Sequence, residues 1–246
     1  MDSKLRSNFW NEGYLIGNLN LPKRILKAAL TEVTDLDFRP IVGEVYEEAR
    51  DPNRLQVNIK SFGAAMLQIH KRMKRIIGLS EAQWYTKREL WTALKSLSGG
   101  LRQDIHRDYP SFETGKVILE KGVVQASVIV ALMPNTHFVI YPGCFGTYTK
   151  SLESHLRLER LLLFRGDLVH ASAEYKRMNI RLHCYVRVRG IKQNPDSTEA
   201  VVFSSYMCEY CTMQCHSKLV ADTCSGKINS STNARFKTTS LFLEVH

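Results

Sequence analysis

The chain has 246 residues, 44% of them hydrophobic and 24% charged, which is long and apolar enough to bury a sizeable core. Lysine and arginine number 34 against 24 aspartates and glutamates, and the formal charge of +10 favours acidic partners (nucleic acid, acidic protein or anionic lipid) without choosing among them. No window is apolar enough for a membrane span, and the start MDSKLRSNFWNEGYLIGN lacks a basic stretch followed by an apolar run, so no membrane partner and an intracellular site, nucleus or cytoplasm, are expected.

Taken in chain order, residues 20–38 (NLPKRILKAALTEVTDLDF) and 60–78 (KSFGAAMLQIHKRMKRIIG) carry apolar residues at helical spacing. TKRELWTALKSLSGG, residues 86–100, reads as a further helix, opened by Thr86 with Glu89 as a capping box and closed by Gly99-Gly100. A helical N-terminal section over 1–100, packed on the core, is therefore expected. Between residues 54 and 95 nine lysines and arginines face two acidic residues. This run is either a solvated helix face or a phosphate-backbone surface beside a site, with Trp84, Tyr85 and Trp91 available for stacking bases. A nucleic-acid substrate of that kind would need its target nucleotide flipped into the pocket.

After Gly100 the pattern changes to short runs rich in Val, Ile, Leu and aromatics: GKVILEKG, VVQASVIVALM, HFVIYPG, RLERLLLF, GDLVHA and NIRLHCYVRV, punctuated by Gly, Pro and Asn. The intervals are too short for alternating strand–helix–strand units. A mainly β chain with a helical N-terminal section is expected, its core a jelly roll of roughly eight antiparallel strands over 101–191. KQNPDSTEA, residues 192–200, marks a boundary before a Cys-rich tail, 200–246.

The chemistry concentrates in His106-Arg107-Asp108, in His170 within FRGDLVHASAEY, and in Arg181 within NIRLHCYV. On an extended segment His106 and Asp108 project to one face and can grip one ion together. Two imidazoles and a carboxylate are the ligands that hold Fe(II) on one side and leave its other positions open. The tripeptide His106-Arg107-Asp108 also spells a protein-kinase catalytic loop, but no Gly-rich loop precedes it and no Asp-Phe-Gly follows it.

In that order, His-x-Asp, a distal His and then a basic residue, the region 100–190 resembles the Fe(II)/2-oxoglutarate-dependent oxygenase family. Pro142-Gly143-Cys144-Phe145-Gly146 after an apolar strand, and Gly166-Asp167 before His170, resemble turns common among its members. The resemblance implies a double-stranded β-helix (jelly roll) that binds Fe(II) through His106, Asp108 and His170. It also implies 2-oxoglutarate as co-substrate, its far carboxylate paired with Arg181. The activity implied is hydroxylation of a substrate carbon coupled to formation of succinate, ending in demethylation where that carbon sits on nitrogen. Arg177 is a second candidate for the carboxylate clamp, but Arg181, His183 and Tyr185 share a strand face, which favours Arg181. His183 is placed to hydrogen-bond the co-substrate or to replace a ligand, and Tyr141 is another candidate carboxylate partner. For the substrate a nucleic-acid base ranks first, a protein side chain second and a small molecule third. The competing class is a non-catalytic nucleic-acid-binding protein.

In the tail, Cys208, Cys211, Cys215, His216 and Cys224 offer five soft ligands, and four suffice for a structural zinc. An iron–sulfur cluster and unliganded or disulfide-linked cysteines are the alternatives. The oligomeric state is not legible in the sequence.

Overall fold

Apolar stripes build the helices and short apolar runs build the strands, and the two patterns meet on one face of a large antiparallel sheet. The computed structural model describes residues 3–41, 51–145, 153–158, 161–192, 198–201, 206–207 and 214–215. In chain order the elements are α1 (Ser3–Glu12), β1 (Tyr14–Gly17), α2 (Lys23–Thr34), β2 (Arg39–Pro40), β3 (Arg54–Asn58), α3 (Ala64–Ser80), β4 (Trp84–Tyr85) and β5 (Trp91–Ser96). There follow β6 (His106–Arg107), α4 (Ser111–Lys121), β7 (Ala126–Ala131), β8 (Thr136–Ile140), β9 (Ser154–Leu158), β10 (Leu161–Arg165), β11 (His170–Ser172), β12 (Asn179–Val188) and β13 (Glu199–Ala200). The chain divides into two units, Met1–Val201 and Val202–His246. In the second, β14 (Tyr206–Met207) and β15 (Gln214–Cys215) form an antiparallel ladder. Cys208, Cys211, His216 and Cys224 lie outside the described residues, as does the side chain of Cys215.

The first unit is a jelly roll. Its larger sheet has the order β1-β10-β7-β12-β5-β3-β2, with β4 on the end of β12, and its smaller sheet the order β13-β6-β11-β8-β9. From β5 to β12 the chain passes back and forth between the two sheets, as a double-sheet jelly roll requires. Along β12 the residues Ile180, Leu182, Cys184, Val186 and Val188 point outward into a core shared with the helices. Arg181, His183 and Tyr185 point the other way, into a cavity between the sheets. α3 buries Met66, Ile69, Met73 and Ile77 against that outer face, and Glu32 of α2 caps it by accepting the amides of Ala65 and Met66. The inner face packs Ile129, Ala131, Leu162 and Phe164 against Phe138 and Ile140 of the smaller sheet and Leu168 of the turn before β11.

Three expectations are corrected. Residues 86–100 form no α-helix: after one short 3-10 turn, Arg88–Leu90, the segment is β5, paired on one side with β12 and on the other with β3. Ladder hydrogen bonds to both neighbours override a helical propensity worth only tenths of a kcal/mol per residue, and the Thr86 hydroxyl contacts Cys184 Sγ at 2.9 Å. GKVILEKG belongs to α4, not to a strand. Val117 is buried on one side of that helix while Leu119 is exposed, and Gly122 ends it in the left-handed conformation at φ +64°. The β core therefore does not begin at residue 101: β1, β2, β3, β4 and β5 all enter the larger sheet.

The turn before His170 is held by charge. Arg165 and Asp167, both buried, form a two-pronged pair at 2.8 and 2.7 Å, and Arg165 also donates to the Trp10 carbonyl and covers the Phe145 ring. Gly166 between them has to be glycine, since a Cβ there would stand 2.2 Å from the Tyr109 ring. Tyr109 N donates to the Gly166 carbonyl, which ties the residue after Asp108 to the turn that leads to His170. Asp167→Ala leaves a buried guanidinium without its partner and is expected to destabilise the fold by about 3–5 kcal/mol. In a thermal melt that is a Tm lowered by roughly 10 °C or more; an unchanged Tm would refute this account of the turn.

Candidate active site

β6 and β11 are neighbours in the smaller sheet, and their register sets His170 directly opposite His106. The rings lie 4.4 Å apart, and Asp108 follows at the end of β6, with Oδ1 3.4 Å from His170 Nε2 and 3.9 Å from His106 Nε2. One ligand atom from each of His106, Asp108 and His170 lies within 4.8 Å of the other two, and all three residues are buried. Donor type and geometry both suit a single divalent metal with open positions.

The backbone prepares the imidazoles for this. His106 Nδ1 pairs with the Asp104 carbonyl at 2.7 Å, and His170 Nδ1 with the Leu168 carbonyl at 2.8 Å. A carbonyl can only accept, so each Nδ1 carries a proton, and in the neutral ring Nε2 is then the nitrogen free to face a metal. Burial, aided by the neighbouring His170, pushes the His106 imidazole down to about 4, so it is neutral and able to ligate at physiological pH. Burial alone would raise the Asp108 carboxyl, but His170 and His183 outweigh it and hold the group well below the usual carboxylate range. His183 Nε2 sits 3.3 Å from Asp108 Oδ2, the oxygen turned away from His170. His170 is wedged between Phe138, stacked at 5.2 Å, and the edge of Phe164 at 4.8 Å.

Arg181 projects into the same cavity from β12, two residues before His183 and so roughly 7 Å from it. It is 2% exposed, donates to the hydroxyls of Ser96 and Ser172 and lies over the Tyr175 ring. Its Nε has no hydrogen-bond partner, and no carboxylate pairs with it among the described residues. Burial accordingly lowers its pKa. A second buried guanidinium, Arg54 on β3, is pushed down to about 10 by burial and by Arg181. Arg54 donates to the carbonyls of Leu101, Ser172 and Ala173 and pairs with Asp51 at 3.3 Å, so it fixes the strand that carries Ser172.

The sequence-predicted residues thus divide. His106, Asp108, His170, Arg181 and His183 come together in one cavity of about 710 Å³. Arg177 is exposed just before β12 and does not line it. Tyr141 does not line it either: its hydroxyl donates to Glu153 and accepts from Arg102. Trp84 and Trp91 cannot stack on bases, because both are buried in the core between helices and sheet, with indole N–H groups bonded to the Val124 carbonyl and to His70 Nδ1. Ser96, Ser172 and Arg54 were not marked by the sequence. Their roles follow from register, which short polar residues in strands do not announce.

No protein-family model matches the chain, and no curated protein matches it. Solved structures do. HygX from Streptomyces hygroscopicus, with nickel, 2-oxoglutarate and hygromycin B bound, is 10% identical, with 78% of this chain and 90% of that one covered and a TM-score of 0.59. A prolyl-4-hydroxylase from Pseudomonas putida is 14% identical, covering 77% of this chain and all of that one (100%), at a TM-score of 0.53. The epimerase SnoN from nogalamycin biosynthesis, in complex with Fe3+, alpha-ketoglutarate and nogalamycin RO, is 12% identical over 82% of this chain and 95% of that one, at 0.54. The fold is that of the iron- and 2-oxoglutarate-dependent oxygenases. Among the described residues no helix is long and apolar enough to cross a membrane.

Proposed function

We propose that this chain is an Fe(II)- and 2-oxoglutarate-dependent oxygenase that hydroxylates its substrate. The observation that carries the reading is the pairing, in one cavity, of a two-His, one-Asp cluster with a buried arginine that has no carboxylate partner among the described residues. A buried cation left unpaired is expensive and persists where a ligand supplies the counter-charge. A dicarboxylate that chelates metal at one end and meets a guanidinium at the other fits both needs. The solved neighbours that carry 2-oxoglutarate or alpha-ketoglutarate with a metal agree with this.

Nε2 of His106, Nε2 of His170 and Oδ1 of Asp108 would hold the iron, and Arg181 would take the far carboxylate of 2-oxoglutarate. Bound there, iron and 2-oxoglutarate supply oxygen activation coupled to release of succinate and carbon dioxide. The protein's own tasks are positional. Ser96 and Ser172 aim the guanidinium, His183 fixes the second carboxylate oxygen of Asp108, and Phe138, Phe164 and Ile129 keep water from the cavity wall. The purified chain supplied with Fe(II), 2-oxoglutarate and oxygen is expected to form succinate slowly even without substrate. A protein that binds neither metal nor 2-oxoglutarate would end this reading.

A nucleic-acid base as substrate is supported by the charge of +10 and by the exposed Lys71, Lys74 and Arg75 of α3. The position of that charge counts against it. α3 packs on the outer face of the larger sheet, so its basic side is turned away from the cavity. A backbone bound there would not deliver a base to Asp108. Changing Lys71, Lys74 and Arg75 together to alanine is expected to leave succinate formation unchanged; only a parallel loss of salt-dependent nucleic-acid binding and of turnover would restore the nucleic-acid reading.

A further inference from the structure

The larger sheet runs on past the jelly roll. β3 extends it beyond β5, and the register sets Gln56 beside Leu94 and Leu94 beside Arg181, with Asn58 beside Thr92 and Thr92 beside His183. Neighbouring strands lie about 4.8 Å apart, so Gln56 and Asn58 stand roughly 10 Å from the residues that serve the co-substrate and Asp108. Both line the cavity and both are exposed. Asn58 Oδ1 accepts from the Thr92 hydroxyl at 3.1 Å, which leaves its NH2 group without a partner among the described residues; the Gln56 amide makes no hydrogen bond among them.

The charges of the cavity wall are mostly spoken for. Asp51 is held by Arg54 and by the Leu101 amide, and Arg102 by Glu153 and the Tyr141 hydroxyl. Arg181 is matched to the co-substrate. Asp104, which enters the cavity from the segment before β6, is exposed and has no ion pair among the described residues. Among the described residues, what faces a substrate beyond the co-substrate is therefore chiefly neutral amides (Asn53, Gln56, Asn58 and Gln103) and one carboxylate, that of Asp104. Amides offer both donors and acceptors, the pattern that suits hydroxyl groups. An anion approaching the same wall meets like charge at Asp104. A cavity of about 710 Å³ lies in the range of small-molecule sites.

We infer that β3 is the substrate platform of this cavity and that Gln56, Asn58 and Asp104 select a small, hydroxyl-rich molecule without net negative charge, a neutral or amine-bearing polyol no larger than a short oligosaccharide. This rests on the oxygenase reading, which places 2-oxoglutarate at Arg181. The test is calorimetric titration of the full chain, loaded with Ni(II) and 2-oxoglutarate to hold the site without turnover, with maltotriose, the glucosamine trimer and a thymidine trinucleotide as probes. At least one of the two saccharides is expected to bind, about 10-fold more weakly to the Gln56→Leu/Asn58→Leu variant, since each lost neutral hydrogen bond accounts for up to roughly 10-fold. The affinity for 2-oxoglutarate should not change. Asp104→Asn is expected to weaken the glucosamine trimer relative to maltotriose. The inference is overturned if neither saccharide distinguishes the wild type from the double variant, or if the trinucleotide binds and loses affinity in that variant. Should 2-oxoglutarate itself fail to bind, the oxygenase reading fails instead, and the two failures are separated by that one titration.

Discussion

Replacing Arg181 by methionine is expected to weaken 2-oxoglutarate binding at least 30-fold and, at the same time, to leave the ligand-free protein as stable as the wild type or more so. The two effects have one cause. The guanidinium is buried, has no carboxylate among the described residues, and is held by two serine hydroxyls and the Tyr175 face. Neutral partners do not repay the desolvation of a full charge, which is why burial lowers its pKa. On the oxygenase reading the co-substrate carboxylate completes the pair in the loaded protein, and losing a buried charge-assisted contact of this kind weakens binding by about 2–5 kcal/mol, roughly 30-fold to several thousand-fold. In the empty protein methionine removes a buried charge and keeps most of the volume, a change that is commonly neutral or stabilising by up to about 4 kcal/mol. Calorimetry with 2-oxoglutarate and a thermal melt of the metal-free protein read the two effects separately. A variant with a lower Tm and unimpaired 2-oxoglutarate binding would make Arg181 a structural residue.

The residues that meet in the cavity were easier to read than the elements that carry them. His170 and Arg181 are ligating or charged types inside apolar runs, and His106 and Asp108 stand two apart on an extended segment; such residues stand out because burial without a partner is costly. Of the segments that misled, β5 has core on both sides. In β5, Trp91 and Ala93 face the helices while Thr92, Leu94 and Ser96 face the other way, so Trp-Thr-Ala-Leu-Lys-Ser shows no clean alternation and its good helix formers dominate. In α4 the run Val117-Ile118-Leu119 imitates a strand, although Pro110 before the helix and Gly122 after it are its start and stop signals. Arg54 is a different matter. Among 34 lysines and arginines nothing local distinguishes the one that bonds the carbonyls of residues 101, 172 and 173, because those partners are distant in sequence and converge only in the folded sheet.

Asp108 is where loss should be complete. Asp108→Ala removes the only carboxylate of the cluster and opens a gap between His170 and His183, both 3.3–3.4 Å from its oxygens. Altering a group that merely supports a metal ligand lowers affinity by about 10- to 100-fold, so removing the ligand itself should exceed that range and bring succinate formation below detection. His183→Ala supplies the graded comparison. The three ligands remain, Asp108 loses the partner of its second oxygen, and iron affinity is expected to fall by about 10- to 100-fold. Asp108→Asn, which keeps the shape and removes the charge, guards against misfolding as the explanation: it should retain the wild-type Tm within a few degrees and still lose iron. Chelation of the wild type should reproduce the Asp108→Ala phenotype, and added Fe(II) should restore succinate formation to the wild type alone. If Asp108→Asn still binds iron tightly and forms succinate, the carboxylate is not a metal ligand and the cluster has been assigned wrongly.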